Sequence, residues 1–305
     1  LDENLITTVT ASDQSFTWSV PDRIGNNLRV RIRDANNFTI WDESDNAFRI
    51  RGAVTLTAPN GGQTWIVGST ENITWTKDGT FANVKLEYST NGFADESQTV
   101  TIVAATGAAA LTYPWSIPDA ISNTVKVRVS DANNAEVVDI SDGNFFIKGA
   151  LSLLAPNGAE TWTVSNKQNI TWGRTGSIAN VKLEYSTDGG ATYPGLIIAS
   201  TPANTGSYEW TVADAIGIQT RVRISDVSDA SVLDVSNANF TIRGALLLLT
   251  PNGGEAWPVG TAHNITWSRS GSIAAVIRGW FTSPVRSRPP CARPSLHCAE
   301  SRTGP

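Results

Sequence analysis

The sequence predicts an all-β chain built from antiparallel β-sandwiches in tandem. Three observations predict it: whole segments recur at fixed offsets, hydrophobic residues alternate with a period of two, and turn-forming residues interrupt the alternation at short intervals. No stretch shows the three-to-four-residue apolar spacing of a helix.

The recurrence sets the organisation. Asn72-Ile73-Thr74-Trp75 returns at 169–172 and at 264–267, offsets of 97 and then 95. Pro59-Asn60-Gly61 returns at Pro156 and Pro251 with the same two steps, as do Trp18, Trp115 and Trp210, and Asp34, Asp131 and Asp226. A strand closing at Phe48-Arg49-Ile50-Arg51-Gly52 has counterparts at 145–149 and 240–244, each followed at once by an apolar strand. The expected boundaries are therefore 53–149 and 150–244 for two complete repeats. Residues 1–52 read as the closing half of a truncated repeat, and 245–277 as the opening part of another. Without a methionine, the chain is expected to begin inside something longer.

Within a repeat, Val84, Leu86 and Tyr88 alternate with Lys85, Glu87 and Ser89, and Val125, Val127 and Val129 with Lys126, Arg128 and Ser130. Such alternation gives each strand one buried and one wet face, as in antiparallel sheets. Strands are expected near 53–57, 71–76, 84–89, 98–104, 111–116, 124–130 and 136–148, the last broken near Asp142-Gly143. Turns fall at Pro59-Asn60-Gly61-Gly62, Asn91-Gly92, Pro118-Asp119 and Asp131-Ala132-Asn133-Asn134. Seven short strands in each repeat read as an immunoglobulin-like or fibronectin-III-like sandwich. Both cysteines, Cys291 and Cys298, lie beyond the repeats, so no disulfide framework supports the core.

Charge narrows the function classes. The net charge is −5, but residues 278–305 hold five arginines and one acid, so the first 277 carry 18 bases against 27 acids, or −9. A body so acidic is repelled by nucleic acid and by anionic membrane surfaces. The apolar run at 245–249 is far too short to span a membrane. From Arg278 the repeat gives way to scattered Pro, Arg and Cys with no period, which reads as a disordered or frame-shifted tail.

Pro59-Asn60-Gly61-Gly62, Trp65, Gly68-Ser69 and Asn72-Ile73-Thr74-Trp75 resemble the opening of the yeast cell-wall-synthesis, KNH-like immunoglobulin domain of the Ser-Thr-rich GPI-anchored family. Tyr113 to Asp119, Lys126 to Ser130 and Asp139 to Phe145 fit its closing half. The resemblance covers nearly all of 1–277 and favours the bacterial tandem form, since the Ser/Thr-rich tail and lipid-anchor signal of fungal members are missing. It implies a secreted or surface-exposed, non-catalytic module. The expected partners are neighbouring repeats, a surface polysaccharide or a surface protein. The leading expectation is a structural spacer or adhesion module; the alternative is a wall-glucan-binding accessory module of a larger secreted enzyme.

Candidate sites are few. His263 and His297 are the only histidines and neither recurs in a complete repeat, so acid–base catalysis has no evident centre and no enzyme is expected. Asp131, Asn133, Asp139 and Asp142 form an oxygen-rich stretch offering Ca²⁺ ligands, but Asp and Asn also serve as turn caps, and the spacing is not that of an EF-hand. No other cofactor is expected. Trp65, Trp162 and Trp257 follow the Pro-Asn-Gly turn, where an exposed ring would stack on a sugar and a buried one would close the core. Ser186-Thr187-Asp188-Gly189-Gly190-Ala191-Thr192-Tyr193 resembles an Asp-box and reads as a hairpin whose aspartate ties down its own loop. Five Asn-X-Thr acceptor patterns, including Asn72 and Asn169, arise on the wet faces of strands.

Overall fold

A computed structural model describes residues 4–280. The expectation for the tail, with Cys291, Cys298 and His297, falls from residue 281 onward outside the described residues. The first segment contains β1 (Gly25–Leu28), β2 (Arg31–Arg33), β3 (Trp41–Glu43) and β4 (Phe48–Ile50), joined as the antiparallel pairs β1–β4 and β2–β3.

Next come β5 (Ala53–Ala58), β6 (Thr64–Ile66), β7 (Thr70–Asp78), β8 (Asn83–Ser89) and β9 (Thr99–Gly107). They are followed by β10 (Thr112–Ser116), β11 (Ser122–Asp131), β12 (Asn134–Ile140) and β13 (Phe145–Lys148). One sheet has the order β10-β7-β5; the other runs β6-β13-β11-β8-β9, with β12 also on β11. The same plan repeats in β14 (Ala150–Ala155), β15 (Thr161–Thr163), β16 (Lys167–Thr175), β17 (Asn180–Ser186) and β18 (Gly195–Pro202). It closes with β19 (Ser207–Thr211), β20 (Gly217–Asp226), β21 (Leu233–Val235) and β22 (Phe240–Arg243). A last antiparallel pair joins β23 (Ala245–Thr250) to β24 (Thr266–Ser270). The chain is thus all-β, with two complete immunoglobulin-like sandwiches.

The inward residues of the alternating strands form one core per sandwich. In the first, Ile73 and Trp75 of β7 face Val84 and Leu86 of β8 and Val125, Val127 and Val129 of β11, all buried. The second cluster uses their counterparts Ile170, Trp172, Val181, Leu183, Val222 and Ile224. Each central indole also needs a hydrogen-bond partner once buried. Trp75 Nε1 donates to the Ala108 carbonyl at 3.0 Å, and Trp172 Nε1 to that of Ala203 at 2.9 Å.

One local feature differs from the sequence expectation, and the expected break near Asp142-Gly143 is found. After the Pro59 turn the chain forms an unexpected short strand, β6, which pairs parallel with β13 in the opposite sheet. Its single inward side chain, Trp65, is too little for a period of two to show. The break in the last strand falls between β12 and β13, both of which pair with β11. Ser141 occupies that break and is buried; it accepts from Val127 N at 3.0 Å and donates to Pro59 O at 2.8 Å. Ser236 does the same with Val222 and Pro156.

Truncating Trp75 to Ala in residues 53–149 removes the most deeply buried of its tryptophans and the donor to the Ala108 carbonyl, an expected loss of about 3–5 kcal/mol in denaturant unfolding. A neutral outcome would contradict this core. Thr220 in turn is fully buried with no partner for its hydroxyl among the described residues, where Val125 stands in the first sandwich. Thr220→Val is therefore expected to stabilise the second sandwich by about 1 kcal/mol, read as a higher unfolding midpoint.

Candidate functional site

The acidic stretch proposed as a Ca²⁺ site is spread over separate structural bonds. Asp131 accepts from Asn133 N at 3.0 Å, Asp139 from Leu56 N of the facing sheet at 2.8 Å, and Asp142 from Asn60 Nδ2 at 2.8 Å. Asp234 repeats the cross-sheet bond to Leu153 N at 2.6 Å. Among the described residues no three His, Cys, Asp or Glu side chains gather to hold a metal ion. Trp65 and Trp162 are each 7% exposed. Trp65 packs on Trp115 and Phe145, and Trp162 on Trp210 and Phe240. Their ring faces are taken up by the core and are not presented for stacking on a sugar. Trp257, in the last segment, is 40% exposed and stacks on His263.

Asp188 ties down its hairpin through Thr192 N at 3.0 Å and the hydroxyls of Ser186 and Thr192. Those bonds, the hydroxyl of Ser186 foremost, hold its carboxyl well below the usual range. On the outer face of the larger sheets, nearly buried Glu87 lies between Lys85 (2.5 Å) and Arg128 (3.0 Å), and Arg128 stacks on Phe93. Glu184 repeats this with Lys182 and Arg223, and Arg223 stacks on Tyr193. Burial opposes the Glu184 charge, but its two cations outweigh burial and hold its carboxyl low. Asp188 and Glu184, with lowered pKa values, stay ionised and hydrogen-bonded near neutral pH and are not poised to exchange a proton there.

The arrangement that does recur as a built site lies at the joints between repeats. Asp22, Asp119 and Asp214 sit in the turn before a closing strand. Each accepts two bonds from the residue 58 positions later, its backbone N–H and its hydroxyl: Thr80, Ser177 and Ser272. The N–H distances are 2.9, 2.9 and 3.0 Å. One glycine links consecutive repeats, and a Cβ on Gly52, Gly149 or Gly244 would come within 2.8 Å of Phe81, Ile178 or Ile273 respectively. Only the bare glycine admits that apolar plug. A second clasp bridges each complete joint from the end of the closing strand. Lys148 reaches Asp229 (2.9 Å) and Ser231 (2.6 Å), while Arg49 and Arg51 reach Glu136 and its carbonyl at 3.0 Å each.

Sequence reasoning took Asp119 for a turn former and missed its partner. The signal was available: an Asp and a Ser or Thr that keep the two repeat offsets, always 58 apart. The Ser177 hydroxyl and then its amide lower the Asp119 pKa; Thr80 and Ser272 act likewise on Asp22 and Asp214. Asp229 is held down to about 2, first by the Ser231 hydroxyl and then by Lys148. An open groove of about 630 Å³ runs along the middle joint, lined by Tyr88, Ser97, Val100, Ile121 and Ser177 among others.

No protein-family model matches the chain, and no curated protein matches it, so the KNH-like resemblance rests on its motifs alone. Among solved structures, the chain is similar to the fibronectin(III)-like modules of Clostridium thermocellum CbhA, at 17% identity over 62% of this chain and 94% of that one, TM-score 0.23. It is also similar to the N-terminal four Ig domains of Dscam1 isoform 6.9, at 10% identity, covering 68% of this chain and 52% of that one, TM-score 0.32. A third is DIP-gamma IG1+IG2, at 10% identity, 62% and 97% coverage, TM-score 0.24. The strand order above, and not these scores, carries the fold.

Because Asp22, Asp119, Asp214 and Asp229 have lowered pKa values, their bonds stabilise the docked joint above the ordinary aspartate value of about 3.9 and are lost as pH falls through the lowered one. The joints should stay closed from neutral pH to roughly pH 4 and loosen below it, with the Asp229 clasp persisting to about 2. Small-angle scattering across a pH series checks this; loosening already between roughly pH 5 and 7 would exclude a carboxylate latch.

Proposed function

We propose that the chain is a non-enzymatic, extracellular or cell-surface repeat protein whose tandem sandwiches act as a structural spacer or adhesion module. The observation that carries this reading is the joint. The same carboxylate latch, apolar plug and one-glycine linker recur at three successive boundaries. A chain that merely strings domains together has no need of repeated interdomain bonds, and flexible linkers are the common solution. A repeated latched joint suits a module that must hold its neighbours at a fixed distance and orientation. The acidic body supports a role away from nucleic acid and anionic membrane. No helix among the described residues is long and apolar enough to cross a membrane. Wall-polysaccharide binding draws no support from Trp65 and Trp162, whose rings pack in the cores.

Scattering from residues 53–244 should give an extended particle with a narrow range of shapes. Replacing Asp119 and Lys148 together by Ala should broaden that range while each sandwich keeps its unfolding midpoint. An unaltered profile would remove the joint as the source of stiffness. Glycan-array binding by 53–149, lost in Trp65→Ala without unfolding, would overturn the spacer reading in favour of sugar recognition.

A further inference from the structure

Asn-Gly occurs four times in the chain, at Asn60, Asn91, Asn157 and Asn252. Such a step loses its side-chain amide when the glycine nitrogen closes on the asparagine Cγ, an approach that the missing Cβ leaves open. That nitrogen must be free to attack. After the Pro-Asn-Gly turns it is engaged: Gly61 N donates to Gln63 Oε1 at 2.9 Å, Gly158 N to Glu160 Oε2 at 2.8 Å and Gly253 N to Glu255 Oε2 at 2.7 Å. The side-chain carbonyls of Asn60 and Asn157 are held as well, accepting from Asp142 N and Asn237 N.

Asn91-Gly92 differs. It lies half-buried in the turn that follows β8, and among the described residues no hydrogen bond engages the Gly92 N–H. The equivalent step of the second sandwich, Asp188-Gly189, is pinned. There Gly189 N donates to Gln219 O at 2.8 Å, Gly190 N to Ser186 Oγ at 2.9 Å and Thr192 N to Asp188 Oδ1 at 3.0 Å. The first loop is also the longer: β8 and β9 pair Tyr88 with Val100, twelve positions on, whereas β17 and β18 pair Tyr185 with Gly195, ten positions on. Meanwhile the Ser89 hydroxyl donates to Asn91 Oδ1 at 2.5 Å, which polarises the side-chain carbonyl towards attack.

We propose that Asn91 is a site of spontaneous deamidation, converted through a cyclic imide with Gly92. The Gly92 nitrogen gives up its proton to water or hydroxide and attacks Asn91 Cγ. A C–N bond forms and charge collects on Oδ1, where the Ser89 hydroxyl stabilises it. The carbonyl then re-forms and Nδ2 leaves as ammonia, with a proton taken from water. Water opens the imide at either of its carbonyls, leaving aspartate or isoaspartate at position 91. In sum one amide and one water become one carboxylate and one ammonium ion, and no oxidant or enzyme is required.

Aspartate is what the second sandwich already carries at this point, where the Ser186 hydroxyl makes the same bond to Asp188. In the first loop Asp95 and Glu96 follow closely, so conversion places a third carboxylate there. Isoaspartate instead lengthens the main chain ahead of Phe93, the ring that Arg128 covers. Thr90, Ser97 and Gln98 of the same loop line the groove along the middle joint, so either product alters the surface beside that joint.

Peptide mapping by mass spectrometry tests this on the full-length chain, incubated at neutral and at mildly alkaline pH. The readout at each Asn-Gly is the mass gained when NH2 is replaced by OH. In the folded chain Asn91 should react ahead of Asn60 and Asn157, and faster as the pH rises. The two shielded sites should trail by about fivefold or more, the handicap of first opening a hydrogen bond of ordinary strength. In denaturing urea the shielding is gone and the three rates should converge. An unreactive Asn91, folded-state rates at Asn60 or Asn157 that equal or exceed it, or a preference for Asn91 that persists undiminished in urea would each overturn the proposal.

Discussion

Each sheet of the two sandwiches has one apolar face, and that face must be covered. The period of two creates the demand: Ile73 and Trp75 point one way from β7 while Asn72, Thr74 and Thr76 point the other. Two facing sheets meet it by interleaving their inner residues, and no disulfide links them in either sandwich. The core must therefore come from large side chains. Trp75, Leu86 and Phe145, with Ile170, Leu183 and Phe240 in the second repeat, are the residues that fill it. Among the described residues no second sheet faces Ile32 or Trp267, and both are exposed there.

Burial of the faces creates a second demand, because turns at the sandwich ends carry backbone groups that no ladder satisfies. Short polar side chains meet it in fixed places. Ser141 serves both Val127 and Pro59, Asp139 ties the facing sheet through Leu56, and Asn60 Oδ1 accepts from Asp142 N. The recurring Asp and Ser positions are explained by this bonding, which is why their spacing mimics a ligand set without converging on one point. The offset that makes them look like a motif is the offset of the fold itself.

Strand content and the sandwich fold class were legible because they are written in periodicity and in long-range recurrence. Elements of three residues were not. β6 contributes one inward side chain, and its identity as an edge strand depends on pairing with β13, some eighty residues away in sequence, which no local pattern encodes. Trp65 was legible as an aromatic after a turn; its direction was not, since that follows from the parallel pairing which seats it against Trp115 and Phe145. The joint was hidden for a related reason. Asp119 and Ser177 are common turn residues, and their partnership spans the boundary at which sequence reasoning divides the chain.

The joint also shows how little is needed to remove freedom between domains. A single linking residue leaves two soft dihedrals per boundary, but glycine on its own would leave them broadly permissive. Placing Ile178 against Gly149 fills the space through which that residue would swing, and the Asp119 latch fixes the adjacent turn. The glycine is required for close approach, and the close approach is what cancels its flexibility. Each bond of the latch is solvent-exposed and individually weak. Their effect comes from acting together with the plug on a linker that has few conformations to lose. A longer linker would oppose the same bonds with a larger ordering entropy, so the one-residue boundary and the latch are two parts of one device.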